Sequence, residues 1–247
     1  MSDVRTHFSK AKEEVQFPDW LLYHRYILDE WESKLILSPD HTSGDKVTSV
    51  DLRYWDNLHD VMKVISQNDI ELKDVDLRGN KGADGKCLAQ ASRLFGKTLT
   101  SLDLGGCPSI DETALAFLGG MSMLQTLNLS DILHIQDYHV EKLLDYNLRL
   151  LEHLTINGCI QLTNKSLECV ARQRNRIKTL NATTNTNYTW HGVVEVLYKC
   201  EALDSIDFSY CPNVKFFGCI TRLSNHPLDR DLKQYVSRSL KKLRLEA

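Results

Sequence analysis

The sequence predicts an α/β fold, a right-handed solenoid or horseshoe with a parallel concave sheet and convex helices, built from seven to eight repeats. Two observations predict it: a short aliphatic motif recurs at even spacing, and a helical pattern follows several of its copies. The motif has the form L-x-x-L-x-L and occurs as VTSVDL at Val47, LKDVDL at Leu72, LTSLDL at Leu99, LQTLNL at Leu124, LEHLTI at Leu151, IKTLNA at Ile177, LDSIDF at Leu203 and LKKLRL at Leu240. The first seven copies start 25 to 27 residues apart, and the eighth follows after 37. Such a period indicates units that bury their apolar faces only against their neighbours.

Each motif predicts one short strand, because apolar and polar residues alternate along it. The segments between motifs predict helices, since apolar residues recur three or four positions apart in 60–65, 140–144 and 193–197. Thr163 is placed to cap the N-terminus of one such helix. Strands of this kind stack in parallel about 4.8 Å apart, with the helices outside.

A position three residues after the last core residue of each motif has a restricted composition. It reads Trp55, Asn80, Cys107, Ile132, Cys159, Asn185 and Cys211. An Asn there is expected to hydrogen bond to the backbone of the adjacent turn, and Cys is a smaller substitute that buries well. One cysteine per turn does not place four ligands around one metal ion in tetrahedral geometry, so we expect neither a metal nor a cofactor. The seven cysteines contain no CxxC pair and follow no export signal, which favours free thiols.

The segments GGCPSIDETAL at Gly105 and NGCIQLTNKSL at Asn157 resemble the cysteine-containing subclass of leucine-rich repeats. The resemblance covers about residues 47–215 and implies a leucine-rich-repeat solenoid. We therefore expect an N-terminal helical cap over 1–46, leucine-rich repeats over 47–215 and an atypical C-terminal capping repeat over 216–247.

The ends of a stacked solenoid expose apolar surface and need caps. The segment FPDWLLYHRYILDEW, residues 17–31, places its large apolar residues on one helical stripe that includes Trp20 and Trp31. We interpret it as a cap on the first strand, or alternatively as a helix that docks a partner through Trp20 and Trp31. The C-terminal part is locally basic from Arg230 onward.

The N-terminal segment resembles two families. FPDWLLYHRYI is similar to the first helix of an F-box, which implies binding to the Skp1-type adaptor of a ubiquitin ligase. Trp20-Leu-Leu, Trp31, the strand KVTSVD ending at Asp51, and Leu129-Ser-Asp131 resemble mitochondrial ATP synthase factor B and related assembly proteins of respiratory complexes. This second resemblance is preferred on the layout of the segment. It implies a location on the matrix side of the mitochondrial inner membrane, with the cytoplasm or nucleus as alternatives.

The concave face is where a partner is expected to bind, because alternate strand residues point there. The residue between the second and third core positions reads Asp51, Asp76, Asp103, Asn128, Thr155, Asn181 and Asp207. Neighbouring carboxylates about 5 Å apart repel by roughly 1 kcal/mol in water, and Arg53 and Arg78 are placed to relieve two of them.

Two interpretations of this row stay open. Asp or Asn is common at this position of such repeats for structural reasons. The functional hypothesis is that Asp51, Asp76 and Asp103, with Asp74 beside them, contact a basic segment of a protein partner. The predicted partner-binding set is Asp51, Arg53, Tyr54, Asp74, Asp76, Arg78, Asp103, Asn128 and Tyr210, with Tyr54 and Tyr210 as aromatic anchors.

Catalytic motifs are not found in the sequence. GNKGADGKC, residues 79–87, departs from a nucleotide-binding loop because Asn80 replaces its first glycine and Cys87 its hydroxyl residue. No GxSxG or HExxH pattern occurs. A net charge of −3 gives no global attraction to nucleic acid, and no apolar run reaches the roughly 18 residues of a membrane span.

The expected function is therefore a non-catalytic interaction scaffold for protein partners, as an accessory subunit or assembly factor of a larger complex of the respiratory-chain or ATP synthase type. The alternatives are a substrate-recognition adaptor of a ubiquitin ligase, similar to F-box leucine-rich-repeat proteins, and a GTPase-activating protein.

Overall fold

The structure, a computed structural model, describes residues 48–67, 71–173, 176–214 and 243–244. The predicted cap with Trp20 and Trp31 lies outside the described residues, as does most of the predicted C-terminal capping repeat.

Each predicted motif in the described residues contains one strand, and all strands run parallel in one sheet in chain order. The strands are β1 (Ser49–Asp51), β2 (Asp74–Asp76), β3 (Ser101–Asp103), β4 (Thr126–Asn128), β5 (His153–Thr155), β6 (Thr179–Asn181), β7 (Ser205–Asp207) and β8 (Leu243–Arg244). Equivalent motif positions pair throughout, and Ile206 faces Leu243, so the eighth motif joins the same sheet. The predicted parallel repeat architecture is confirmed.

A helix follows each of the first six strands. The helices are α1 (Leu58–Gln67), α2 (Gly85–Phe95), α3 (Glu112–Phe117), α4 (Asp137–Glu141), α5 (Asn164–Arg172) and α6 (Trp190–Lys199). A 3₁₀ turn at Leu118–Gly120 extends α3, and a π-helical turn at Lys142–Asn147 extends α4. The predicted helices are confirmed, although the second half of 140–144 is π-helical. The Oγ1 of Thr163 accepts a hydrogen bond from the backbone N–H of Lys165 and caps α5 as predicted.

The core lies between the sheet and the helices, because the central residue of every strand from β1 to β7 is buried while its two neighbours are more accessible. The last core position of the motif forms a second buried row: Leu52, Leu77, Leu104, Leu129, Ile156, Ala182 and Phe208. Each fully buried leucine contributes about 1.5–3 kcal/mol relative to exposure. The small Ala182 is followed by Phe208, whose ring meets Tyr188 edge-on at a centroid distance of 5.8 Å.

The predicted Asn and Cys ladder is confirmed, and at five positions it ties a turn to the one before. Asn80 donates through Nδ2 to the carbonyl oxygens of Leu52 and Trp55, at 2.6 and 2.9 Å. Cysteines at the same position donate through Sγ to the preceding turn: Cys107 to Leu77 O, Cys159 to Leu129 O and Cys211 to Ala182 O. All cysteines in the described part of the chain are free and buried. The strand ends, and the side chains on them, are therefore held in a fixed register.

Candidate functional site

The open face of the sheet, opposite the helices, carries the first and third residue of each strand. The strand pairing places Asp51 beside Asp76 and Asp76 beside Asp103. Asn128, Thr155, Asn181 and Asp207 continue the row on the following strands. The predicted row of polar side chains is thus continuous over seven strands.

Two arginines interleave with the three aspartates of this row, and we name Asp51, Arg53, Asp76, Arg78 and Asp103 the charge ladder. The Nη2 of Arg53 lies 2.6 Å from Asp51 Oδ2, and its Nε lies 3.6 Å from Asp76 Oδ2. Arg78 repeats the pattern one turn on, with Nη2 2.7 Å from Asp76 Oδ2 and Nε 3.4 Å from Asp103 Oδ2. Each arginine therefore bridges two neighbouring turns.

The charge ladder changes the protonation equilibria of its members. Burial raises the pKa of Asp51, but the hydrogen bonds and charge of Arg53 outweigh it and leave that pKa below its usual value. The hydrogen bond with Asp76 raises the pKa of Arg78. Asp51 and Arg78 therefore remain ionised at neutral pH, and the partly exposed ion pairs of the ladder contribute about 0.2–1 kcal/mol each.

The third strand residue also caps the end of its own strand. The Oδ1 of Asp51 accepts the backbone N–H of Arg53 at 3.1 Å, and Asp103 accepts that of Gly105 at 2.9 Å. In the same way, the side-chain oxygens of Asp76, Asn128 and Asp207 accept the backbone N–H groups of Arg78, Ser130 and Ser209, respectively. Asp or Asn at this position thus has a structural role.

Asp74 differs from the other acidic residues of the open face. It is the first residue of β2, between Ser49 and Ser101 on the adjacent strands. Among the described residues its carboxylate has no hydrogen bond or ion pair, whereas every aspartate of the charge ladder has both. Three carboxylates and two guanidinium groups leave the ladder with one negative charge, and Asp74 adds a second.

Beyond the charge ladder the open face is largely uncharged. Asn128 ends the ladder by donating Nδ2 to Asp103 Oδ1 at 2.9 Å. The Nδ1 of His153 lies 2.9 Å from Thr179 Oγ1 on the next strand. The face is therefore divided into an acidic part on β1 to β3 and a polar, mostly neutral part on the later strands.

The two predicted aromatic anchors lie far apart. Tyr54 follows β1, is 64% exposed, and has the guanidinium carbon of Arg53 5.5 Å from its ring centroid. Tyr210 follows β7, is 58% exposed, and has a left-handed backbone with φ 60°. The structure brings Tyr54 to the charge ladder and leaves Tyr210 at the other end of the sheet.

A second polar ladder, which was not predicted from the sequence, links the loops after the strands to the preceding turn. Side chains two positions past the Asn and Cys ladder donate to a carbonyl oxygen of the preceding turn: Ser109 to Lys81, Gln161 to Leu133, Asn187 to Ile160 and Asn213 to Thr186. The sequence signal was available as a recurring Ser, Gln or Asn at this spacing. Each of these loops is consequently linked to the preceding turn by a side-chain hydrogen bond.

In the described part of the chain, no group of three or more His, Cys, Asp or Glu side chains is arranged to hold a metal ion. Within the same residues, no helix is both long and apolar enough to cross a bilayer.

Comparison with known proteins gives distant similarities. No family model matches the chain. The curated F-box/LRR-repeat protein 4 of Bos taurus is 24% identical over 202 residues, which cover 69% of this chain and 32% of that protein. The chain thus spans about a third of the length of this relative.

Two solved structures match this chain at low sequence identity, and the first of them supports the same fold. A chain of the Rad7 and Elc1 complex of yeast superposes with a TM-score of 0.54 at 16% identity, covering 68% of this chain and 44% of that chain. Internalin C2 of Listeria monocytogenes gives 0.43 at 17% identity, covering 81% and 76%. The repeated motif and the parallel sheet with one strand per motif show that this chain has the fold of a leucine-rich-repeat solenoid.

Proposed function

We propose that this chain is a non-catalytic scaffold within a larger complex, and that it holds a protein partner on the open face of its sheet. The observation that carries the proposal is the excess negative charge of the charge ladder and Asp74 on a rigid, open surface. A basic segment of a partner complements that charge.

The fixed geometry of the charge ladder favours binding. Its side chains are already held by ion pairs and backbone hydrogen bonds, so less conformational entropy is lost when a partner docks. Asp74 contributes most to the affinity for a Lys or Arg of the partner, because no cation of the described chain competes for its carboxylate. The aspartates of the ladder supply the surrounding negative potential, which steers a basic segment to this end of the sheet.

Within this role, we propose that the complex is a ubiquitin ligase and that the chain acts as its substrate-recognition adaptor. The similarity to an F-box/LRR-repeat protein over 69% of the chain supports this, as does the resemblance of FPDWLLYHRYI to the first helix of an F-box. This segment lies outside the described residues.

A respiratory-chain or ATP synthase complex on the matrix side of the mitochondrial inner membrane is the second candidate. Its support is the set of short motifs around Trp20, Trp31 and Asp51. The GTPase-activating alternative has less support, because Arg53 and Arg78 both bind carboxylates of their own chain.

Affinity purification of the tagged full chain, followed by mass spectrometry, separates these candidates. Recovery of a Skp1-like adaptor in stoichiometric amount supports the ligase, whereas recovery of inner-membrane complex subunits supports the mitochondrial role. GTP hydrolysis stimulated by the pure protein would contradict both.

The open-face site is tested with the purified partner. Asp74→Lys is expected to weaken binding at least tenfold, because it places a cation against a basic segment. Ser205→Lys is the matched control, since it introduces the same charge at the same strand position on β7. Both variants should melt close to the unaltered protein, and equal binding by the two would contradict the proposed site.

A further inference from the structure

The loops that follow β4 and β5 present large apolar side chains to solvent. Leu133 and Ile160 occupy the same position on adjacent turns and are 54% and 51% exposed. The equivalent residues of earlier turns are Lys81 and Pro108. These two aliphatic side chains, side by side on the surface, form a small exposed apolar patch that a partner can cover.

The backbone beneath this pair is fixed. The carbonyl oxygen of Leu133 accepts the Nε2 of Gln161 at 2.7 Å, and that of Ile160 accepts the Nδ2 of Asn187 at 2.6 Å. The exposed side chains therefore project from tethered loops. Docking onto them orders little additional backbone, which favours affinity.

A second row of the same loops carries residues in a left-handed conformation. This row contains Gly79, Gly106, Asp131, Gly158, Thr184 and Tyr210, with φ between 57° and 69°. Glycine adopts this conformation without strain, whereas a β-branched or bulky side chain does not. Thr184 and Tyr210 are both exposed, and the backbone N–H of Thr184 donates to the carbonyl oxygen of Ser209 on the next turn at 3.0 Å, so hydrogen bonds between turns fix the backbone from which these side chains project.

A negative charge without a partner adjoins the apolar pair. The carboxylate of Asp131 lies over the next turn, since a Cβ atom added to Gly158 would collide with Asp131 Oδ1. Among the described residues, no hydrogen bond or ion pair reaches this carboxylate. Asp131 thus offers an uncompensated charge next to Leu133 and Ile160.

We propose that these residues form a second docking surface, the exit-loop rim of Asp131, Leu133, Ile160 and Tyr210, for an extended peptide segment of a protein partner. The peptide carries aliphatic side chains that cover Leu133 and Ile160 and a Lys or Arg that faces Asp131. From Asp131 to Tyr210 the rim crosses three turn spacings, about 15 Å at 4.8 Å per turn, which an extended chain covers in about five residues. This surface goes beyond the proposed function, because it uses none of the charge ladder and does not depend on which complex the chain joins.

Selection from a random heptapeptide phage library on the purified full chain tests the proposal. We expect enrichment of sequences that combine aliphatic residues with Lys or Arg. The same selection on Asp131→Lys should enrich Asp or Glu in place of the basic residue, because the charge of the rim is reversed. The most enriched heptapeptide is then synthesised and titrated by calorimetry.

The titration includes variants that separate the rim from other surfaces. The double variant Leu133→Ser/Ile160→Ser should lose at least tenfold in affinity. Leu150→Ser is the control, since Leu150 is 45% exposed but precedes β5 at the other end of the strand. All these side chains are exposed, so the variants should keep the melting temperature of the unaltered protein.

Four results would overturn the proposal. One is the absence of any enriched sequence, and another is an enriched charge that does not change with Asp131→Lys. The third is a dimer, seen by sedimentation, that dissociates in the Leu133→Ser/Ile160→Ser variant, because the occupant would then be a second copy of this chain. Loss of heptapeptide binding in Asp74→Lys would also overturn it, by placing the peptide on the open face, and this would leave the proposed function standing.

Discussion

The side-chain amide nitrogen of Asn185 lies 2.7 Å from the carbonyl oxygen of Cys159, one turn earlier in the stack. The same amide reaches Leu162 O, and its Oδ1 accepts the backbone N–H of Asn187 at 2.8 Å. Asn185 is fully buried. One side chain thus satisfies backbone groups of two turns at once, whereas a cysteine at this position makes weaker contacts through sulfur, as Cys159 does with the carbonyl oxygens of Leu129 and Asn157 at 3.1 and 3.6 Å.

Asn185→Ala should therefore lower the free energy of unfolding by about 2–3 kcal/mol, since several buried backbone groups lose their partners. Cys159→Ala removes the Sγ contact to Leu129 O and should cost about 1 kcal/mol. Urea titrations followed by circular dichroism measure both values. Equal losses of unfolding free energy in the two variants would contradict the conclusion that Asn stabilises this position more than Cys does.

The charge ladder makes the free energy of unfolding depend on pH in the acidic range. The pKa of Asp51 is lowered in the folded chain, so the unfolded state takes up the proton at a higher pH than the folded state. The stabilisation by Asp51 is complete above the unfolded pKa of about 3.9 and is lost as the pH falls through the lower folded value.

Asp51→Asn keeps an acceptor for the backbone of Arg53 but removes the charge. The difference in unfolding free energy between the unaltered protein and this variant should be largest at pH 5 to 7 and should shrink below about pH 4. Asp74→Asn is the control, because Asp74 forms no ion pair among the described residues. A difference for Asp51→Asn that stays constant from pH 7 to pH 3 would contradict this assignment.

The sequence was sufficient to predict the strand register. A side-chain alternation of two residues, repeated every 25 to 27 positions, leaves only one way to bury Val50, Val75 and Leu102 together. Once these are buried, Asp51, Asp76 and Asp103 must align on the open face. Their role as caps of the strand ends was not predicted, because that contact depends on the direction of the backbone after each strand.

Contacts between helices of neighbouring turns could not be predicted from local patterns. Asp137, at the start of α4, accepts the backbone N–H groups of Thr163 and Ser166 at 2.8 and 3.2 Å and so caps α5 of the next turn. Capping rules consider residues within one helix, whereas these partners are 26 and 29 residues apart. The left-handed backbone conformations of Thr184 and Tyr210 were also not predicted, because glycine is the residue that usually adopts this conformation.

The left-handed row gives a pair of substitutions with opposite effects. A Cβ added to Gly106 meets no atom within 4 Å, so Gly106→Ala isolates the backbone cost and should lower stability by about 1 kcal/mol. Thr184→Gly removes strain of the same kind and should raise stability by about 0.5 kcal/mol, after allowance for the greater freedom of glycine in the unfolded chain. Urea midpoints that shift in the same direction for both would contradict the strain at Thr184.

The buried cysteines should resist thiol reagents while the chain is folded. Burial raises the pKa of Cys87 and Cys159 to about 12, so at pH 8 only about one thiol in ten thousand is the reactive thiolate. A Cys219→Ser variant, which removes the cysteine outside the described residues, should therefore react with Ellman's reagent only as fast as the protein opens. In urea all six remaining thiols should react within minutes, because their pKa returns to about 8.5. Rapid reaction of two or more thiols in the folded variant would show that the repeats open locally, and the cysteines could not then be the fixed links between turns that the structure describes.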